Sequence, residues 1–179
     1  MRRHVALLVC GLAIASSGLC AQDVTDVVFL SNEEYLPVLL ESIGDARSSI
    51  RVEMYLIRPG PSEGHPVTKI LAALTAARKR GVRVEVLLDR HFASDNEKAA
   101  ERLRSSGIED VRWESEEVTN HTKAVVIDEE TLIVGSQNWT LAALAASTES
   151  AVVVRSRAVV EELRQREKER RGVASEGAR

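Results

Sequence analysis

Between residues 50 and 88 the apolar pattern changes period twice, and no other feature restricts the fold as much. Ile50, Val52, Met54 and Leu56 alternate with Arg51, Glu53 and Tyr55, the period of two that a strand imposes. Val67, Ile70, Leu71, Leu74 and Ala77 then recur at three- and four-residue steps, one stripe of a helix over 67–80 with Gly81 as its stop. Residues 82–88 return to strand and end at Asp89. A strand, a helix of that length and a second strand imply a sheet layered with helices. The same alternation runs along the chain. Strands are expected over 24–30, 108–113, 122–127, 132–134 and 149–154. Helices are expected over 33–46 (Pro37 near its start), 96–105, 138–146 and 158–171. The expected fold class is α/β, a mixed β-sheet sandwiched between helices on both faces. The runs 82–88 and 123–134 are apolar enough to be central strands buried on both sides.

The first 21 residues stand apart from this pattern. Arg2 and Arg3 precede the apolar stretch Val5 to Ala15, and Ser16-Ser17-Gly18 leads to Leu19-Cys20-Ala21, the layout of a secretory signal peptide. The apolar stretch falls short of the roughly 20 residues that a spanning helix needs, so no stable membrane span is expected. Residues 1–21 are therefore read as the signal, 22–171 as one domain and 172–179 as a disordered tail, with a periplasmic or secreted destination. The bulky Leu19 argues against lipidation of Cys20. Both cysteines, Cys10 and Cys20, fall in the signal, so disulfides, thiolate metal sites and thiol nucleophiles are excluded from the mature chain. Without Arg2 and Arg3 the 24 basic side chains become 22 against 27 acidic ones, a charge of −5.

Six residues in the second half of the domain concentrate the chemistry. His121 and Lys123 lie two apart at the start of an expected strand, so an imidazole and an ammonium project to the same side. Asp128 falls on the other parity or in the turn 128–131, which suits a scaffolding role. Gly135-Ser136-Gln137-Asn138 lies between a strand and a helix, where free amides can meet an anion. Glu149 opens the next strand. Singly, each has an ordinary explanation: a surface histidine, a solvated lysine, a turn, a helix cap, a strand end. Their joint spacing carries the argument.

In that spacing the chain resembles the phospholipase D superfamily. His121-x-Lys123-x4-Asp128 followed by Gly135-Ser136-x-Asn138 is similar to its HKD motif, and Glu149 stands where members carry an active-site acid. The likeness extends back to Leu71–Leu74 and to Gly81–Asp89. The wide acidic stretch Glu109-Asp110 and Glu114 to Glu117 departs from it. The resemblance implies that His121 is a nucleophile forming a covalent phosphohistidine. It implies that Lys123, Ser136 and Asn138 hold the nonbridging oxygens. Glu149 would hydrogen-bond His121 and fix its tautomer. A second imidazole must protonate the leaving oxygen, yet the chain has one motif copy, and His65 and His91 fall in loops without a matching lysine. A homodimer with a composite active site follows from the resemblance. No cofactor and no metal are implied, because lysine and imidazolium supply the positive charge.

The substrate divides into two classes. A compact, exported, single-motif chain resembles the nuclease-like branch, but a charge of −5 suits nucleic acid poorly, since binding rests on phosphate neutralisation. Arg78, Lys79, Arg80 and Arg83 are the local basic groups that would offset it. A phospholipid headgroup ester is the alternative and needs an apolar approach. A catalytically inactive phosphate-binding module is the third reading, which the intact motif opposes.

Overall fold

The computed structural model describes residues 26–177, so the segment 1–21 and both cysteines lie outside the described residues. Its elements, in chain order, are β1 (Asp26–Ser31), α1 (Asn32–Asp45), β2 (Ser49–Met54), α2 (Pro66–Lys79), β3 (Arg83–Leu88), α3 (Ala93–Ser105), β4 (Val111–Trp113), β5 (Lys123–Ile127), β6 (Thr131–Gly135), α4 (Leu141–Ala145), β7 (Ser150–Arg155) and α5 (Arg157–Gly177). The strands form one mixed sheet in the order β1-β7-β6-β5-β2-β3-β4. β2 is parallel to β3, and β3 to β4, because α2 and α3 return the chain across one face. The pairs β2–β5, β5–β6, β6–β7 and β7–β1 are antiparallel.

The two faces are covered unequally. One carries the main core, in which Tyr35, Leu39 and Ile43 of α1, Val67, Ile70 and Leu74 of α2, Leu103 of α3 and Leu144 of α4 pack on Ile50, Val52, Val84, Val86, Val125 and Val153. The other carries only α5, whose Val160, with Val159 and Leu163, covers Ala124, Val126 and Leu132. β5 is buried along its whole length. β3 is not the doubly buried central strand that its apolar content suggests. It lies next to the edge strand β4 and alternates buried residues with Arg83, Glu85 and Leu87, which remain exposed or partly exposed on its second face.

Other boundaries differ for local reasons. α3 starts at Ala93, ahead of Asn96, whose side chain turns inward to bond backbone rather than to cap. α4 starts at Leu141 with Thr140 as its cap, accepting from the Ala143 amide at 3.2 Å, so Asn138 is not the helix cap. α5 runs over Arg157–Gly177, with good helix formers such as Gln165, Glu167 and Lys168 along it.

Candidate active site

Strand pairing brings the end of β2, the ends of β3 and β6, and the starts of β5 and β7 to one rim of the sheet. Met54 is paired with Lys123 on one side and with Leu88 on the other. Gly135 is paired with Ala151, and Ser31 of β1 with Ser150. Tyr55, Asp89, His121, Ser136 and Glu149 therefore all sit on that rim, although they span almost a hundred residues of chain.

His121 lies just before β5 with its side chain exposed. The Lys123 ammonium donates to the His121 carbonyl at 2.8 Å and stands 3.2 Å from Nδ1 and 3.4 Å from Nε2 of the same ring. Lys123 is only 7% exposed, and that burial holds its pKa below the ordinary lysine value against the opposing pull of Glu149 and Asp89. Tyr55 walls the pair. Its ring centroid is 4.2 Å from that of His121 and 5.0 Å from the Lys123 nitrogen.

A buried polar layer sets the height of this loop. The Asn120 amide donates to Asp89 Oδ2 at 2.5 Å, and the Asn120 side chain donates to Glu53 and Glu114 at 3.3 and 3.2 Å while accepting from the Thr122 amide. Asp89 also accepts from the His91 amide at 2.7 Å. Asn96 donates to the carbonyls of Tyr55 and Asp89 and accepts from the Ile57 amide at 2.7 Å. Each of these buried groups is partnered, so the rim is held rigidly. Tyr55, Asn96 and Asn120 have no motif to announce them. The end of an apolar strand at Asp89 was the one available signal.

The phosphate-loop candidates come from the other side. The Ser136 amide donates to the Ser150 carbonyl at 3.0 Å, and its hydroxyl donates to the Glu149 carboxylate in a short contact. Ser136, rather than His121, is thus the group that Glu149 holds within one chain. Ser136 to Asn138 are not a helix N-terminus, since Trp139 is bridged to Ile57 and α4 starts only at Leu141. Trp139 is fully buried, its amide bonded to Leu56 and its indole to the Tyr35 hydroxyl at 3.1 Å. Burial raises the Tyr35 pKa to about 12, only partly offset by the indole hydrogen bond. Asn138 Oδ1 and both polar side-chain atoms of Gln137 are buried without a hydrogen-bond partner in the chain.

Asp128 does not join the site. It lies at the other end of β5, roughly 17 Å from Lys123 at the rise of a strand. Its carboxylate accepts from the amides of Arg47, Ser48 and Ser49 at 2.9, 2.7 and 2.9 Å, tying the β5–β6 turn to the α1–β2 junction. Burial alone would raise its pKa, but these three amides and the Ser48 hydroxyl bring it below the usual carboxylate value.

The remaining histidines and charges also find their places. His65 caps α2 by accepting from the Val67 amide, and its ring packs over Gly60, where a Cβ would lie 2.1 Å from it. His91 is at the rim, stacked on Tyr55 at 5.8 Å, a position its loop setting did not suggest. Much of the acidic stretch before His121 is consumed by the fold: Glu114 is buried on Asn120, Asp110 pairs with Arg112, and Glu116 faces Arg90. The basic group offered as an offset is at the wrong end. Arg78 and Arg80 bond carbonyls of Gly107 and Ile43 and Arg83 pairs with Glu85, all at the start of β3, roughly 20 Å from Asp89. Among the described residues no helix is long and apolar enough to cross a membrane.

Residues 39–170 match the family described as cardiolipin synthase, PLD-like domain. The chain is 30% identical over 123 residues to mitochondrial cardiolipin hydrolase of Mus musculus, covering 69% of this chain and 52% of that protein. It is 32% identical over 116 residues to phospholipase D of Rickettsia bellii, covering 65% and 53%. The chain thus spans about half the length of these relatives. The phospholipase D family member Nuc from Salmonella typhimurium superposes with a TM-score of 0.67 at 27% identity, covering 82% of this chain and 93% of that one. NucT from Helicobacter pylori shares the fold at a TM-score of 0.62 and 14% identity, over 80% and 94% of the two chains. With the family match running from α1 through the rim and into α5, the chain belongs to the phospholipase D superfamily.

Proposed function

We propose that this protein hydrolyses a phosphodiester through a covalent phosphohistidine on His121. The observation that carries the reading is the exposed imidazole beside a buried, desolvated ammonium at one rim of the sheet. A His121 ring nitrogen attacks phosphorus, and the bond to the leaving oxygen breaks as a second imidazole gives it a proton. Lys123, Ser136 and Asn138 face the nonbridging oxygens, and the low-dielectric setting of Lys123 strengthens its attraction for the charge that builds there. Water then attacks the phosphohistidine, the second imidazole takes its proton, and the phosphorus–nitrogen bond breaks.

The second imidazole is His121 of another copy across a twofold axis, which makes the working enzyme a homodimer. Glu149 accepts the Ser136 hydroxyl hydrogen bond in its own chain, so that hydroxyl must turn from Glu149 to the nonbridging oxygen when the substrate binds. The order of basic, apolar and small residues over 2–21 supports export to the periplasm or beyond. The decisive experiment is an acid-free denaturing quench of the reaction followed by mass spectrometry of the peptide containing His121. A phosphoryl or phosphatidyl adduct on His121 is expected. Steady turnover with no adduct at any time point, including in a variant slowed in the water step, rejects the covalent route.

A further inference from the structure

The sheet-facing stripe of α5 changes character partway along. Val160 and Leu163 pack with Ala124, Val126 and Leu132, but the next two positions on that stripe are Glu167 and Arg170. They meet the second face of β2, which presents Arg51 and Glu53 instead of apolar residues. Arg51 bonds Glu167 and stands 3.8 Å from Glu53 Oε1, while Arg170 stands 3.8 Å from Glu53 Oε2. That same Oε2 accepts from the Asn120 side chain at 3.3 Å. A continuous polar path therefore runs from a peripheral helix to the residue before His121. We propose that Glu53 and Arg170 are positioning residues for His121: the carboxylate holds the Asn120 side chain, and the guanidinium holds the carboxylate against it. The inference rests on the phosphodiesterase reading above only in taking His121 as the reacting group.

Charge makes the link specific. The Asn120 side-chain nitrogen has two hydrogens, and its acceptors are Glu53 at 3.3 Å and Glu114 at 3.2 Å. Both acids are buried, 4% and 7% exposed, so two carboxylates converge on one amide where water screens them little. They repel each other, and cations on the far side of Glu53 keep it in place. Arg51 supplies part of that charge, but it is shared with Glu167, and its Nε and Nη2 are buried without a hydrogen-bond partner in the chain. Arg170 completes it. An ion pair between two exposed side chains contributes little. Here one member is buried, and removing its counter-ion leaves a charge that the interior tolerates poorly.

Asn120 passes this on to the reacting group. Its Oδ1 accepts from the Thr122 amide at 3.1 Å, so the side chain spans His121 and fixes the backbone on both sides of it. A tilt of that side chain is a tilt of the imidazole. Misplacing a reacting group by about 1 Å through a distant change costs as much as roughly a hundredfold in rate.

The test is charge rescue, read in two ways. The His121 ring is observed by NMR in protein carrying isotope-labelled histidine, assigned with His121→Ala, and turnover is followed on bis(4-nitrophenyl) phosphate. Arg170→Met should shift the His121 ring resonance and lower kcat about tenfold with KM within about threefold, because Lys123 and Ser136 are untouched. Glu53→Gln keeps an oxygen for Asn120 but carries no charge to balance, so it should stay within about threefold of wild type. Adding Glu53→Gln to Arg170→Met should restore both the resonance and kcat. Arg166→Met, which removes an exposed ion pair with Glu162 on the same helix, should change neither. Thermal melts verify folding of each variant. An unmoved His121 resonance in Arg170→Met overturns the proposal, as does an Arg170→Met defect that Glu53→Gln fails to rescue. Absence of turnover by wild type rejects the phosphodiesterase reading instead, and the resonance comparison still decides the positioning.

Discussion

Lys123 reaches the His121 ring at 3.2 Å from inside the sheet, while the imidazole itself stands in solvent. One partner is therefore a desolvated charge and the other an accessible nucleophile, although they are two residues apart. The pairing of Lys123 with Met54 at the end of β2 fixes the ammonium, and the Asn120–Asp89 bond fixes the imidazole.

Removing the two groups should have different effects on stability and the same effect on turnover. His121→Ala, at an exposed position, should lower turnover by roughly a thousandfold or more and change unfolding free energy by less than about 0.5 kcal/mol. Lys123→Met should also abolish turnover but leave the fold as stable or more so, because it deletes a charge that burial penalises. The depressed lysine pKa means that the unfolded chain holds this proton more tightly, so wild type gains stability as pH rises toward about 10.4. Melts of wild type and Lys123→Met across the alkaline range should converge in that direction. Divergence contradicts the desolvation account.

Asp128 gives the opposite linkage. Its lowered pKa contributes stability that is complete above the unfolded value near 3.9 and is lost as pH falls through the folded value. Asp128→Asn should thus cost about 2 kcal/mol at neutral pH, and the gap to wild type should close below about pH 4. The mutation acts through the α1–β2 junction, so residual turnover should follow the folded fraction. A fully stable but inactive Asp128→Asn would give this carboxylate a direct part in the reaction.

His91 makes the shared-site proposal testable in a single chain. It is an imidazole stacked on the same Tyr55 ring that walls His121. If the acid comes from the twofold partner, His91→Ala should keep turnover within about threefold, the cost of one lost surface contact. Equal mixing of wild type with His121→Ala should then drop the activity per wild-type chain to about half, since only wild-type pairs are competent and half of the wild-type chains sit in mixed pairs. Unchanged activity on mixing, together with an inactive His91→Ala, assigns the acid to the same chain.

The positive charge at the site is supplied by Lys123 and imidazolium in the proposed mechanism, which gives a direct prediction for chelation. Turnover on bis(4-nitrophenyl) phosphate should survive prolonged dialysis against EDTA without loss beyond about twofold. Complete loss that one divalent ion restores would instead require metal-assisted hydrolysis.

The periodic parts of the chain were legible without coordinates. Each expected strand and helix is present among the described residues, with the starts of α3, β4 and α4 shifted by three residues, because one-sided burial imposes those periods on the residues. The neighbourhood of the two motif residues followed from strand parity alone. Three things did not follow. The inward turn of Asn96 and the bridging role of Asn120 depend on which backbone groups need partners, a tertiary fact. The end of the sheet at which Arg78, Arg80 and Arg83 lie depends on topology, and the wrong end was assumed. Glu149 lies near Ser136 rather than His121 because the β6–β7 register, not sequence separation, sets its neighbour.

The sheet order has a bearing on how the chain must be made. β1 is the first strand of the described chain, and its sole neighbour in the sheet is β7, the last. A nascent chain therefore carries β1, with Val27 and Phe29 on it, as an orphan until residues up to Arg155 have emerged. Truncation anywhere before β7 removes the partner of β1 and strips the edge of β6 together. β2, β3 and β4 pair with one another, so that part of the sheet can form early. The β1 edge, by contrast, can be closed only once β7 has emerged.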